Sequence, residues 1–118
     1  MGKVVALVDD IFFQAKLVET ARQVGVELKT VTTGAALLAE AAGSPALVIV
    51  DLNARQGAIE ALEQLHAAGN AQPVIAFLSH VQVELAERAR AAGCQHVLPR
   101  SKFTQDLAAI LSRAKTRS

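Results

Sequence analysis

Three carboxylates and one carboxamide stand at the ends of two short apolar runs, and these are the residues best placed to do chemistry. Val4–Val8 leads into Asp9 and Asp10, and Ala46–Val50 leads into Asp51, with Asn53 two residues further on. Short, wholly apolar runs read as parallel strands buried on both faces. Their carboxyl ends then lie side by side at one rim of a sheet, where ligands bind in open α/β proteins. Carboxylates crowded at such a rim repel one another, and an oxygen-seeking cation such as Mg²⁺ relieves the repulsion. In outline this is a site for phosphate chemistry.

The elements that must hold these residues follow from the patterning. Five apolar runs, Val4–Val8, Leu28–Val31, Ala46–Val50, Val74–Leu78 and His96–Leu98, alternate with amphipathic stretches. That alternation predicts a parallel sheet covered by helices. The helices are expected at Phe12–Val24, Gly34–Ala42, Ala58–Ala68, Val83–Ala92 and Thr104–Lys115, several closed by glycine. The second and fifth strands are shorter or more polar and belong nearer the edges. The reading is a single α/β domain over residues 1–118, a (βα)₅ chain with right-handed crossovers and a core of Ala, Val and Leu.

Composition narrows the function. A net charge of +1, with a basic cluster only at Arg113, Lys115 and Arg117, leaves no footprint for nucleic acid. No run approaches the length of a membrane span, and the first strand is too short for a signal-peptide core. The lone Cys94 excludes an internal disulfide, fits a cytoplasmic setting and reads as a small buried hydrophobe. His66, His80 and His96 fall on different elements without metal-ligand spacing, and His80 is expected to face solvent. Phe12 and Phe13 are both expected in the core.

The order of these motifs resembles a response-regulator receiver domain of the CheY-like type over nearly the whole chain. Val8-Asp9-Asp10 resembles the acidic pair of that family, and Val50-Asp51 its phosphoacceptor strand. Leu78-Ser79 matches the strand end carrying its Ser or Thr, and Ala91-Ala92-Gly93 with Val97-Leu98-Pro99-Arg100 the approach to its basic residue. Thr33-Gly34 resembles the start of its second helix. The resemblance implies a flavodoxin-like three-layer sandwich with strand order 2-1-3-4-5. It implies Asp51 as the phosphoacceptor, Asp10 as a direct Mg²⁺ ligand, Asp9 acting through water, and the Asn53 carbonyl completing the protein ligands. Ser79 would bond a phosphoryl oxygen and Arg100 would supply positive charge. A histidine kinase or phosphotransfer protein would donate the phosphoryl group, and a downstream protein would read it as a signal. The implied partner face is Val83–Lys115, which could also serve a homodimer. A stand-alone signalling domain rather than an enzyme is expected.

Departures from the family pattern cluster at the rim. Arg100 replaces the usual Lys, Ser101 rather than Pro follows it, and Lys102 is the other candidate for the basic position. Arg is not equivalent to Lys at such a site. The loop from Asp51 to Gly57 is shortened, lacks proline and carries Arg55, while Val97 takes the place of a switch aromatic. The alternative is therefore a phosphorylation-independent pseudo-receiver, a protein-interaction module with Asp51 held by Arg100 or Arg55. Simpler roles also stand: Asp9 and Asp10 as caps of the first helix and Ser79 as a cap of the fourth. Asp51-Leu52-Asn53 is superficially like the Asp-x-Asp of haloacid-dehalogenase phosphatases but lacks the second acid. No glycine-rich phosphate loop supports a nucleotide or flavin module.

Overall fold

Apolar runs too short for helices pair as strands when each finds a neighbour of matching length. The computed structural model describes residues 3–79 and 82–115; His80 and Arg117, singled out above, lie outside them. In chain order the elements are β1 (Lys3–Leu7), α1 (Ile11–Val24), β2 (Glu27–Val31), α2 (Gly34–Ala41), β3 (Leu47–Asp51) and α3 (Ala58–Ala67). They continue with β4 (Val74–Leu78), α4 (Val83–Ala91), β5 (His96–Pro99), α5 (Arg100–Gln105) and α6 (Leu107–Lys115). The strands form one parallel sheet of order β2-β1-β3-β4-β5. This is the predicted (βα)₅ order, with the less apolar β2 and β5 at the edges.

Alternation along the strands sends side chains into two separate cores. Val5, Leu7, Val48, Val50, Val74, Ala76 and Leu78 pack with residues of α2, α3 and α4. Val4, Ala6, Leu47, Ile49, Ile75 and Phe77 pack with residues of α1, α5 and α6. The chain leaves β1 toward β2 on one side, and β3 joins β1 on the other. The order therefore reverses between β1 and β3, and the crevice for a ligand opens at their carboxyl ends.

Three expectations change. β3 includes Asp51, which stands opposite Phe77 of β4, so the carboxylate belongs to the strand and not to the loop after it. The last helix, expected to begin at Thr104, begins at Arg100 and breaks at Asp106. Pro99 is extended, with ψ 147°, and starts α5 directly from the strand, which places Phe103 in the core with no exposed surface. The third change is Phe12, which is 85% exposed while Phe13 is buried. Phe13, Leu17 and Ala21 recur every fourth residue and claim the buried face, so the adjacent Phe12 turns outward. Cys94 is buried as expected, and desolvation pushes its thiol up to about 11.

Candidate functional site

Asp51 is the one buried charged residue among those described, with 3% of its surface exposed. Its Oδ1 accepts the Asn53 backbone N–H at 2.9 Å, a local turn that fixes the carboxylate. Burial raises its pKa above the ordinary value; the Asn53 N–H and the Arg100 charge oppose the shift, while Asp9 and Asp10 add to it. The three acids are therefore gathered at one rim, as the strand ends predict.

Asp10 does two things at once. Its Oδ1 accepts the backbone N–H groups of Phe12 and Phe13 at 2.9 and 3.2 Å and so caps α1. Its Oδ2 accepts Arg100 Nη2 at 3.0 Å. The Arg100 bond, followed by the Phe13 N–H, holds this carboxyl below the usual range. Arg100 is itself supported from beneath: its guanidinium carbon lies 4.3 Å from the Phe13 ring centroid. Phe13 touches Phe77 at 5.1 Å between centroids, and Phe77 stacks on Phe103 at 4.5 Å. The aromatic core thus carries the cation to the rim.

Asp9 is held by the loop after β3. Its Oδ2 accepts the Arg55 backbone N–H at 2.9 Å and the Arg55 Nε at 3.4 Å. That loop is pinned from the other side, where the Gly34 N–H donates to the Gln56 carbonyl at 2.8 Å. A side chain at Gly34 would put Cβ 2.4 Å from the Gly57 carbonyl oxygen, so only glycine permits this approach. Thr33, at the expected start of the second helix, caps α2 by accepting the Ala36 N–H at 3.1 Å.

Neither arginine pairs with Asp51. The alternative in which Arg100 or Arg55 holds Asp51 is corrected to two other pairs, Arg100 with Asp10 and Arg55 with Asp9. Lys102 pairs with Asp106 at 3.3 Å along its own helix, because both lie on the same side one turn apart. The basic side chain nearest the acids from β5 is therefore Arg100. Ser79 is exposed at the end of β4 and does not cap α4, whose cap position is Gln82. Its backbone N–H donates to Asn53 Oδ1 at 2.6 Å, and Asn53 Nδ2 donates to Gln82 Oε1 at 2.6 Å. Asn53 thereby ties the loop after β3 to both ends of the connection between β4 and α4. Its side-chain role and that of Gln82 were missed in the sequence, since a carboxamide in a loop carries no spacing signal. The platform under Arg100 was legible only as an aromatic pair after two acids.

The donor chemistry at the rim, carboxylate and carbonyl oxygens, suits Mg²⁺. As the side chains stand, no group of three His, Cys, Asp or Glu residues among those described is drawn together around one ion position. Arg100 already occupies Asp10 Oδ2, and Arg55 occupies Asp9 Oδ2. The donors fit the ion in kind, with two tethered cations already beside them.

No protein-family model matches this sequence, and no curated protein matches it. Solved structures do. The chain superposes on the chemotaxis response regulator CheY4 of Vibrio cholerae with a TM-score of 0.80 at 23% identity, covering 97% of this chain and 98% of that one. The fold is that of a response-regulator receiver domain. A receiver domain protein from Clostridium thermocellum gives 0.81 at 19% identity, covering 97% and 94% of the two chains. A BeF3-activated receiver domain, DrrB, gives 0.80 at 20% identity over 99% of each. The strand order β2-β1-β3-β4-β5 with alternating helices is that of the receiver fold.

Proposed function

We propose that this chain is a signalling receiver in which Asp51 accepts a phosphoryl group, from a histidine kinase or phosphotransfer protein, and passes the signal to a protein partner. The observation that carries the reading is Asp51 itself: a buried carboxylate at the switch point of the sheet, oriented by a backbone N–H and paired with neither arginine. A charge kept in such a place needs a use or a partner. The receiver fold of its structural neighbours, one of them named as activated with BeF3, supports the same chemistry.

In this reading the Asn53 N–H holds Asp51 Oδ1, and Oδ2 attacks phosphorus as the bond to the donor nitrogen or oxygen breaks. Arg100, fixed over Phe13, contributes positive charge near the transferring group. The Ser79 hydroxyl supplies a donor from the carboxyl end of the neighbouring strand β4. Mg²⁺ would be held by Asp10 and Asp51, by Asp9 through water and by the Asn53 carbonyl, and would neutralise charge on the phosphoryl oxygens. The exposed Ile11, Phe12 and Val83 stand at the first turns of α1 and α4, around the rim, as a protein-facing surface would require. The Val83–Lys115 face is proposed for the downstream partner or a second copy. No described helix is long and apolar enough to cross a membrane; a cytoplasmic location is part of the proposal.

The test is phosphate uptake from acetyl phosphate or phosphoramidate with Mg²⁺, read by intact-mass spectrometry beside Asp51→Asn. One phosphate-sized gain, abolished in the variant, is expected. No gain in the unmodified chain would replace this reading with the phosphorylation-independent interaction module.

A further inference from the structure

The two halves of α4 are held in different ways. The C-terminal half is seated by Ala89, which is buried, and by Arg88, whose guanidinium donates to the Glu63 carboxylate of α3 over 2.9 to 3.2 Å. In the N-terminal half Val83 is 62% exposed, Leu85 and Ala86 are half-buried, and a groove lined by Val83, Ala86 and Val97 runs beneath. Its polar tie to the rim is Gln82, whose Oε1 accepts Asn53 Nδ2 at 2.6 Å. The Ala86 N–H closes the first turn on the Gln82 carbonyl at 2.9 Å, so Gln82 moves with the helix. Gln82 stands at the cap position of α4 but makes no cap bond; its carboxamide is turned to Asn53 instead. Asn53 is engaged a second time, because its backbone N–H donates to Asp51 Oδ1 at 2.9 Å.

We infer that the Asn53–Gln82 bond is a latch between Asp51 and the start of α4, with Gln82 a positioning residue that acts on the carboxylate through Asn53. The inference rests on the reading of Asp51 as the phosphoacceptor and adds its regulation. One residue carries both bonds, so the start of α4 moves away only by breaking the Gln82 bond or by drawing the Asn53 N–H off Asp51. A group that occupies the groove and lifts the N-terminal half of α4 therefore changes how Asp51 is held. By linkage, a change at Asp51 that releases the Asn53 N–H loosens the start of α4 by the same coupling. The C-terminal half, fixed by Ala89 and the Arg88–Glu63 pair, is the pivot. An exposed bond between two carboxamides suits this role, since it is weak enough to break without unfolding the domain.

The test is amide hydrogen exchange by NMR on the whole chain, with circular dichroism to confirm folding of each variant. In Gln82→Ala, which removes the acceptor, exchange is expected to quicken roughly three- to tenfold at Ala86 and at the Asn53 N–H, the range set by one net hydrogen bond. Gln82→Glu keeps an acceptor oxygen for Asn53 Nδ2 and is expected to restore both rates. Exchange at Ala92, beyond the pivot, should stay as in the unmodified protein. The Asn53 N–H is the deciding readout, because a residue that only shapes the first turn of α4 leaves it unmoved. Unchanged exchange at Asn53 in Gln82→Ala, or a Gln82→Glu variant that behaves like Gln82→Ala, overturns the inference. Phosphate uptake is read separately. The expected exchange rates without uptake leave the latch standing and remove the phosphoacceptor reading, and uptake with Asn53 exchange unmoved does the reverse.

Discussion

The two faces of the sheet are built differently. Beneath α1, α5 and α6 lies a core with three mutually touching phenylalanines, Phe13, Phe77 and Phe103. Beneath α2, α3 and α4 the core is aliphatic, and α4 contributes one fully buried residue, Ala89. A groove of about 260 Å³ runs along α4, lined by Leu78, Val83, Ala86, Val97, Leu98 and Pro99 among others. By strand alternation Asp51 points to the aromatic face with Leu47 and Ile49, and Arg100 rises from that face. The charges are therefore fixed on dense packing, while α4, seated by few buried contacts, belongs to the part of the fold that opens at least cost. The space open to adjustment in this fold therefore lies under α4, where Val97 is among the residues that line the groove.

The largest expected effect tests the packed face. Phe103→Ala removes a fully buried ring from the stack, and a loss of about 3–5 kcal/mol is expected in urea denaturation. A loss below about 1 kcal/mol would mean the aromatic face is no firmer than the other. That variant should also loosen Arg100, since its platform Phe13 packs on both Phe77 and Phe103.

A smaller effect, of opposite sign, tests how the packed face treats the charge it surrounds. Burial raises the Asp51 pKa above its ordinary value of 3.8, so the folded state favours the protonated acid. Stability then falls as pH rises from that value through the raised folded value. Asp51→Asn removes this penalty and is expected to stabilise the protein by on the order of 1 kcal/mol at neutral pH. The gap between the two proteins should close in acid. Denaturation curves at acid and neutral pH measure it, and a gap independent of pH would place the effect elsewhere.

The smallest effect tests the loose face. Ala86→Leu points into the groove along α4, and a change within about 0.5 kcal/mol is expected, with slower amide exchange in α4. The same enlargement in a closely packed core costs about 1–3 kcal/mol. A penalty of that size here would show that the groove is no reserve of space.

The scaffold was legible because its signals are local. Val4–Val8 and Val74–Leu78 announce strands by composition, Gly25 with φ +79° closes α1, and Thr33 starts α2 through its own side chain. The acidic residues were legible for the same reason, since strand ends bring Asp9, Asp10 and Asp51 together whatever the loops do. The start of α5 was not, because Pro99-Arg100 carries no side-chain cap and Phe103 alone announced a buried turn.

What the sequence determined by itself is thus the order of strands and helices, the rim and the acids on it, all set by contacts between near neighbours or by the alternation of apolar residues. Only the tertiary structure decided which charge meets which. Arg100 and Asp10 are 90 positions apart, and Arg55 and Asp9 are 46 apart. Such pairs depend on the height of a ring beneath a guanidinium, the pinning of a loop by Gly34 and the turn of one phenylalanine outward and the next inward. Charge attraction is long-ranged and indifferent to sequence spacing, so several pairings satisfy the same residues until packing fixes the distances.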